Sequence, residues 1–165
     1  MEECSAEKQE SLYEEADRLK KEYPNLDDLV VAIGIFIHQH SRSIPNRKQP
    51  KNIIESRFTP TAEAFEKGMI SCGVLSNISA EMLRHVGYKV MLVHGECEKS
   101  VDHAWISVLN PETNTWKEYD LSREDGNILD THVKKQEVFS WDDIKDQIID
   151  DHKTLGVRQR RKGIK

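Results

Sequence analysis

The chain has 165 residues, about one domain's worth. Hydrophobic residues make up 37% and charged residues 32%, a balance that reads as a globular protein with a highly charged surface. The formal charge of −5 excludes a strongly basic nucleic-acid binder as the reading of the whole chain. The longest apolar run, 29–37, is about half of the ~18 residues a membrane helix needs, so no membrane partner is expected.

Three cysteines (Cys4, Cys72, Cys97) are too few, and odd in number, for a disulfide framework. The acidic start, Met-Glu-Glu-Cys, has no apolar stretch behind it. The expectation is therefore no secretory leader, free thiols and a reducing, cytoplasmic location.

Residues 5–23 are rich in Glu and Lys, with Leu12, Ala16 and Leu19 at helical spacing, which predicts a surface helix with a narrow apolar stripe. Pro24 ends it. Asn25 is placed to cap a second helix, and Asp27 and Asp28 suit its first turn because they oppose the helix dipole. Leu26, Leu29, Val30, Ile33, Phe36 and Ile37 give this helix a broad core face as far as about His40. His38 and His40 point to different faces and read as complements to the C-terminal dipole. Residues 41–52, with Pro45 and Pro50 among Arg42, Arg47, Lys48 and Lys51, are expected to be an exposed loop. Pro60, Thr61 and Glu63 favour a short helix before Gly68.

From Cys72 onward, Val74, Leu75, Ile78, Met82, Leu83 and Val86 recur at helical spacing, and Gly87 stands where a C-terminal cap belongs. The pattern predicts a helix over 72–86 with Cys72 in its first turn. Residues 88–94 read as a strand, 96–102 as a polar loop, 103–109 as a second strand and 115–121 as a third. Asn110-Pro111-Glu112-Thr113 has the composition of a tight turn. Residues 123–130 read as loop. Ser140, with Asp143 at the third helical position, predicts a capped helix to about His152. Residues 153–165 carry six basic and no acidic side chains and read as a disordered, solvated tail, a small opening for nucleic acid.

A cysteine becomes a nucleophile as a thiolate, and a helix N-terminus beside a protonated histidine favours that form. Cys72 has the first feature. His103 opens the second strand and Asp120 lies at the end of the third. A two-residue turn between those strands sets His103 directly opposite Asp120, whereas a four-residue loop makes them diagonal neighbours on the same face. Both geometries deliver a His–Asp pair. Cys97 with His94 and His103 falls short of the about four ligands of a zinc site, so no metal and no cofactor is expected.

Cys72, the run Ala80–Val90, Gly95, His103-Ala104-Trp105 and Trp116–Asp120 together resemble the transglutaminase-like superfamily. The resemblance covers roughly residues 58–123. It implies an α+β, papain-like core, with the catalytic Cys at a helix N-terminus packed on an antiparallel sheet that carries His and Asp. It further implies Cys72 as nucleophile, His103 as general base and acid, Asp120 as the residue that orients the ring, and Trp105 near the substrate cleft. Two positions depart from the family's pattern: Ile70 stands where Gly is frequent, and Gly73 where an acidic or aromatic residue often follows the Cys.

On this reading the chain comprises an N-terminal helical extension (1–24), a transglutaminase-like domain (25–152) and the basic tail (153–165). The activity implied is acyl transfer on peptide or isopeptide amides through a thioester, with a peptide or protein as substrate. Hydrolysis is preferred to crosslinking, because no calcium-type carboxylate cluster is legible. The competing reading is an inactive peptide-binding module with the same fold. The backbone N–H of Cys72 is the natural oxyanion donor; no side-chain donor is legible.

Overall fold

The computed structural model describes residues 2–98 and 100–153, with side chains from residue 10 onward except those of residues 100 and 101. The basic tail from residue 154, and the side chain of Cys4, lie outside the described residues.

Five helices precede the sheet: α1 (Glu2–Glu22), α2 (Leu26–Ser43), α3 (Ile53–Phe58), α4 (Thr61–Glu66) and α5 (Cys72–His85). Four strands follow, β1 (Lys89–Cys97), β2 (Ser100–Asn110), β3 (Thr115–Tyr119) and β4 (Val133–Val138), wholly antiparallel in the order β3-β2-β1-β4. A 3₁₀ turn at Trp141–Ile144 then runs on as α-helix over 145–153.

Helix α5 is the centre of the molecule. It packs on β1 and β2 on one side and on α1, α2, α3 and α4 on the other. That position explains its composition. Val74, Leu75, Ile78, Met82 and Leu83 are buried as the periodicity predicts, and so are the small residues Gly73, Ser76, Ser79 and Ala80 on its other faces. Its C-terminus closes as expected. Gly87 takes φ +100, its N–H bonds the Arg84 carbonyl at 3.1 Å, and the Tyr88 N–H bonds the Leu83 carbonyl at 3.0 Å. Helix α2 begins as predicted, with the Asn25 side chain accepting from the Asp28 N–H at 3.3 Å.

The stripe on α1 is fully used. Leu12 and Ala16 are 0% exposed and Leu19 is 4% exposed. Tyr13 stacks on His85 of α5 and donates to Glu81 at 2.9 Å.

Several expectations are corrected. Directly after the expected loop over 41–52, where the sequence predicts no element, stands α3, capped by Asn52, whose side chain accepts from the Glu55 N–H at 3.0 Å. Residues 96–102 belong largely to the β1–β2 hairpin, which a bulge near Gly95–Cys97 allows to extend. The stretch after Asp130 contains β4, an edge strand of Lys, Gln and Glu between two valines, too polar to show a buried face. His40 lies in the last turn of α2, and both His38 and His40 are also tied to other elements. Each donates Nε2–H across to another element, His38 to the Leu121 carbonyl at 3.1 Å and His40 to the Phe65 carbonyl at 2.9 Å.

Candidate active site

Ser71 caps α5 by accepting the Val74 N–H at 3.3 Å, so Cys72 occupies the first helical position. Strand β2 supplies His103, and Asp120 follows directly on the end of β3. In the β2–β3 register Ile106 pairs with Tyr119 and Asn110 with Thr115, which makes 111–114 a four-residue loop. Asn114 closes that loop at φ +56, its N–H bonding the Asn110 carbonyl at 2.8 Å. One step further along the register sets Trp105 opposite Asp120 and leaves His103 diagonal to it.

The structure brings Cys72, His103 and Asp120 together. His103 donates Nε2–H to Asp120 Oδ2 at 2.7 Å. The other ring nitrogen serves Cys72, through a hydrogen bond between the His103 side chain and the thiol. Burial alone would push the Cys72 thiol up. The hydrogen bond from His103, the charges of Arg57 and His103 and the Ala104 N–H outweigh burial and bring it down to about 7. Burial likewise opposes the His103 cation, yet its bonds to Asp120 and Cys72 raise it to about 10. Between those values the thiolate–imidazolium pair is the favoured state. For Asp120, burial is overcome by its hydrogen bonds to His103, Ser122 and His132, which hold the carboxyl well below the usual carboxylate range.

His132 is a residue that sequence reasoning missed. The Leu129 N–H donates to its Nδ1 at 3.0 Å, so the ring proton sits on Nε2 and is donated to Asp120 Oδ2 at 2.8 Å. Ser122 completes the set with its N–H to Oδ1 at 3.0 Å and its hydroxyl to the same oxygen. Ligand atoms of His103, Asp120 and His132 lie within 4.8 Å of one another. To bind a metal there, His132 would have to carry its proton on Nδ1, against the Leu129 N–H, so this donor set does not suit a cation. No spacing rule joins residue 132 to residue 120. The loop between them folds back through bonds from the Asp120 N–H to the Gly126 carbonyl at 3.0 Å and from the His132 N–H to the Leu129 carbonyl at 3.0 Å.

Trp105 offers the cleft no surface, being 1% exposed. Its ring centroid lies 5.8 Å from that of His103 and meets His132 edge-on at 5.1 Å, and its Nε1–H donates to Glu118 at 2.7 Å. It supports the two imidazoles from beside them. Gly95 admits it, because a Cβ there would stand 2.5 Å from the indole. His94 is turned away, 2% exposed, with Nδ1 3.3 Å from Asp102.

An open cleft of about 880 Å³ lies over His103, bordered by Cys72, Glu98, Glu124, Asp125 and His132. A smaller hollow of about 330 Å³ also borders Cys72, lined further by Arg42, Arg47, Ile70 and Leu75.

No family profile and no curated protein matches the sequence. Solved structures do match. One is a protein from Cytophaga hutchinsonii assigned provisionally as a cysteine protease, 16% identical with a TM-score of 0.61, over 80% of this chain and 43% of that one. Another is described as a TGase, 15% identical with a TM-score of 0.54, over 80% of this chain and 34% of that one. The chain thus spans less than half the length of these structures. Its fold is the transglutaminase-like, papain-like α+β fold. Among the described residues, no helix is long and apolar enough to cross a membrane.

Proposed function

We propose that the protein catalyses cysteine-dependent acyl transfer on peptide or isopeptide amides, through a thioester on Cys72. The observation that carries this reading is the juxtaposition of a helix-start thiol, drawn down to about 7, with an imidazole tied to a buried carboxylate at 2.7 Å. Cys72 attacks the carbonyl carbon. His103 gives its proton to the leaving nitrogen and then takes one from the second nucleophile. Asp120 keeps the ring in the tautomer that presents Nδ1 to sulfur. Water is the preferred second nucleophile, which makes the enzyme a peptidase or amidase.

The leaving amine must lie over His103, in the cleft that Glu98, Glu124 and Asp125 border. The acyl half then lies toward Arg42 and Arg47. This polarity suits an amide with a cationic amine half and an anionic acyl half.

The test needs no known substrate. Iodoacetamide alkylation of each cysteine is followed against pH, and p-nitrophenyl acetate is used to look for an acetyl-enzyme. Preferential alkylation of Cys72 near neutral pH, lost in His103→Ala, together with a burst of nitrophenol that depends on Cys72, supports the reading. A Cys72 that titrates as an ordinary thiol and forms no acetyl-enzyme overturns it in favour of a binding module. Deacylation that does not accelerate with added primary amine supports hydrolysis over crosslinking.

A further inference from the structure

Arg57 lies on α3, outside the Cys–His–Asp arrangement, yet its guanidinium reaches the nucleophile. Nη1 stands 3.6 Å from Cys72 Sγ and 3.2 Å from Ser56 Oγ. Nη2 faces Asp102 Oδ1 at 3.5 Å, and the side chain is 1% exposed. The Trp141 ring covers the guanidinium, its centroid 5.1 Å from Cζ. Asn77 ties the two together, donating to the Arg57 carbonyl at 3.0 Å and accepting from Trp141 Nε1 at 2.7 Å.

A buried cation is costly unless it is paired. Asp102 at 3.5 Å is one anion within reach, and the Cys72 thiolate is the other. The helix is also shaped to admit the guanidinium. A Cβ on Gly73 would stand 2.5 Å from Arg57 Nη1, 2.4 Å from Ser56 Oγ and 2.7 Å from the Ser56 carbonyl oxygen. The residue after the nucleophile therefore lacks a side chain where Arg57 and Ser56 take the space. The departure at Gly73 and the placement of Arg57 are two halves of one feature, and the His103–Asp120 pair requires neither.

We propose that Arg57 is a further catalytic residue, whose Nη1–H donates first to the Cys72 thiolate and then to the carbonyl oxygen as it becomes an oxyanion; this rests on the acyl-transfer reading above. In acylation the sulfur lone pair forms the C–S bond and the carbonyl π pair moves to oxygen. On collapse the C=O bond re-forms, the C–N bond breaks, and the leaving nitrogen takes the proton from His103. Arg57 gives up no proton at any stage, since a guanidinium stays charged throughout. The oxyanion lies one carbon from sulfur, so a donor that touches Sγ needs only a small shift to follow the charge. The helix-start amides act beside it, and Arg57 supplies the side-chain donor.

The experiment compares wild type, His103→Ala, Arg57→Met and Arg57→Lys. It measures the pH dependence of iodoacetamide alkylation at Cys72 and the rate of acetylation by p-nitrophenyl acetate, corrected for thiolate fraction. Arg57→Met is expected to raise the alkylation midpoint by about one unit or more, a tenfold loss of thiolate below it. Its corrected acetylation rate falls by a further factor of about 10²–10³, the usual cost of a lost oxyanion donor. If Arg57→Met does not fold, Arg57→Lys decides: it keeps the charge, so the midpoint stays near wild type while corrected acetylation falls at least tenfold. Unchanged midpoint and unchanged corrected rate in a folded Arg57 variant overturn the proposal, with Cys72 still reactive in wild type and silenced in His103→Ala. Loss of reactivity in wild type itself would instead defeat the acyl-transfer reading.

Discussion

His132 stands beside His103, their ring centroids 5.7 Å apart, and both imidazoles donate to the same oxygen of Asp120, Oδ2, at 2.8 and 2.7 Å. One carboxylate therefore anchors two rings. One of them faces the thiol, while the other accepts the Leu129 N–H at its Nδ1 and so has its second nitrogen turned to the backbone. His132→Ala removes a donor from Asp120 and leaves the Leu129 N–H without its acceptor. The expected cost is about 1–3 kcal/mol of stability, read as a fall in the urea midpoint. Acetylation of Cys72 slows less than in Asp120→Ala, because His103 keeps its own bond to the carboxylate.

The rate of Cys72 acylation by a p-nitroanilide, whose leaving nitrogen needs a proton, should follow a bell against pH. The rising limb follows the Cys72 thiol at about 7, and the falling limb follows the His103 imidazolium at about 10. Iodoacetamide does not need the imidazolium proton, so alkylation rises through the same lower limb and holds a plateau above it. In His103→Ala the lower limb moves up, because burial of the thiolate is then opposed by Arg57 and the Ala104 N–H without the imidazole.

Acid should loosen the fold through Asp120. Its carboxyl is held below the ordinary value in the folded state, so it adds stability above that ordinary value and loses it as pH falls toward the folded one. His103 has the opposite dependence. Its raised value adds stability that is complete below the ordinary imidazole range and is lost as pH rises through about 10. Urea midpoints of wild type should fall between pH ~4 and ~2, and Asp120→Asn, though less stable at neutral pH, should flatten that acid slope.

Leu12→Ala should destabilise the whole protein by about 2–5 kcal/mol in a single cooperative transition. Leu12 is 0% exposed under α1, in the same hydrophobic cluster as Leu29, Ile78 and Leu83. A biphasic melt, with the first phase confined to α1, would instead mark that helix as a separate extension.

Peptide-based electrophiles should report the polarity of the cleft. Probes with an acidic residue in the acyl half should label Cys72 faster than their lysine counterparts. Arg42→Glu with Arg47→Glu should reverse that preference, since both side chains are exposed beside the nucleophile and carry no ion pair among the described residues. Equal labelling of both probe types would remove the orientation proposed for the substrate.

Much of this architecture is legible from the chain. The Cys72 helix announces itself because its apolar positions recur from Val74 to Leu83 and Gly87 closes it. His103 and Asp120 are readable as a pair because either even-length loop keeps them on one face, and the loop found is the four-residue one. What stayed hidden has physical reasons. Helix α3 has six residues, too few to show a period, although Asn52 was a signal for its start. Strand β4 is polar between its end valines, because it lies at the edge of the sheet. His132 reaches Asp120 by loop geometry, which leaves no trace in spacing. Gly73 looked like a departure from a pattern, and its reason appears once Arg57 is seen against it.

The reacting groups are split between layers: sulfur belongs to α5, the imidazole to β2, and the carboxylate to the residue just past the end of β3. Their alignment is therefore a property of the helix–sheet contact and of neither element alone. A small slip of α5 along β1 and β2 would part thiol from imidazole while every helix and strand stayed intact. Alkylation of Cys72 is in that sense a gauge of interlayer packing. Under rising urea it should fail ahead of the loss of helical circular dichroism, and any partner that clamps α5 onto the sheet should restore it.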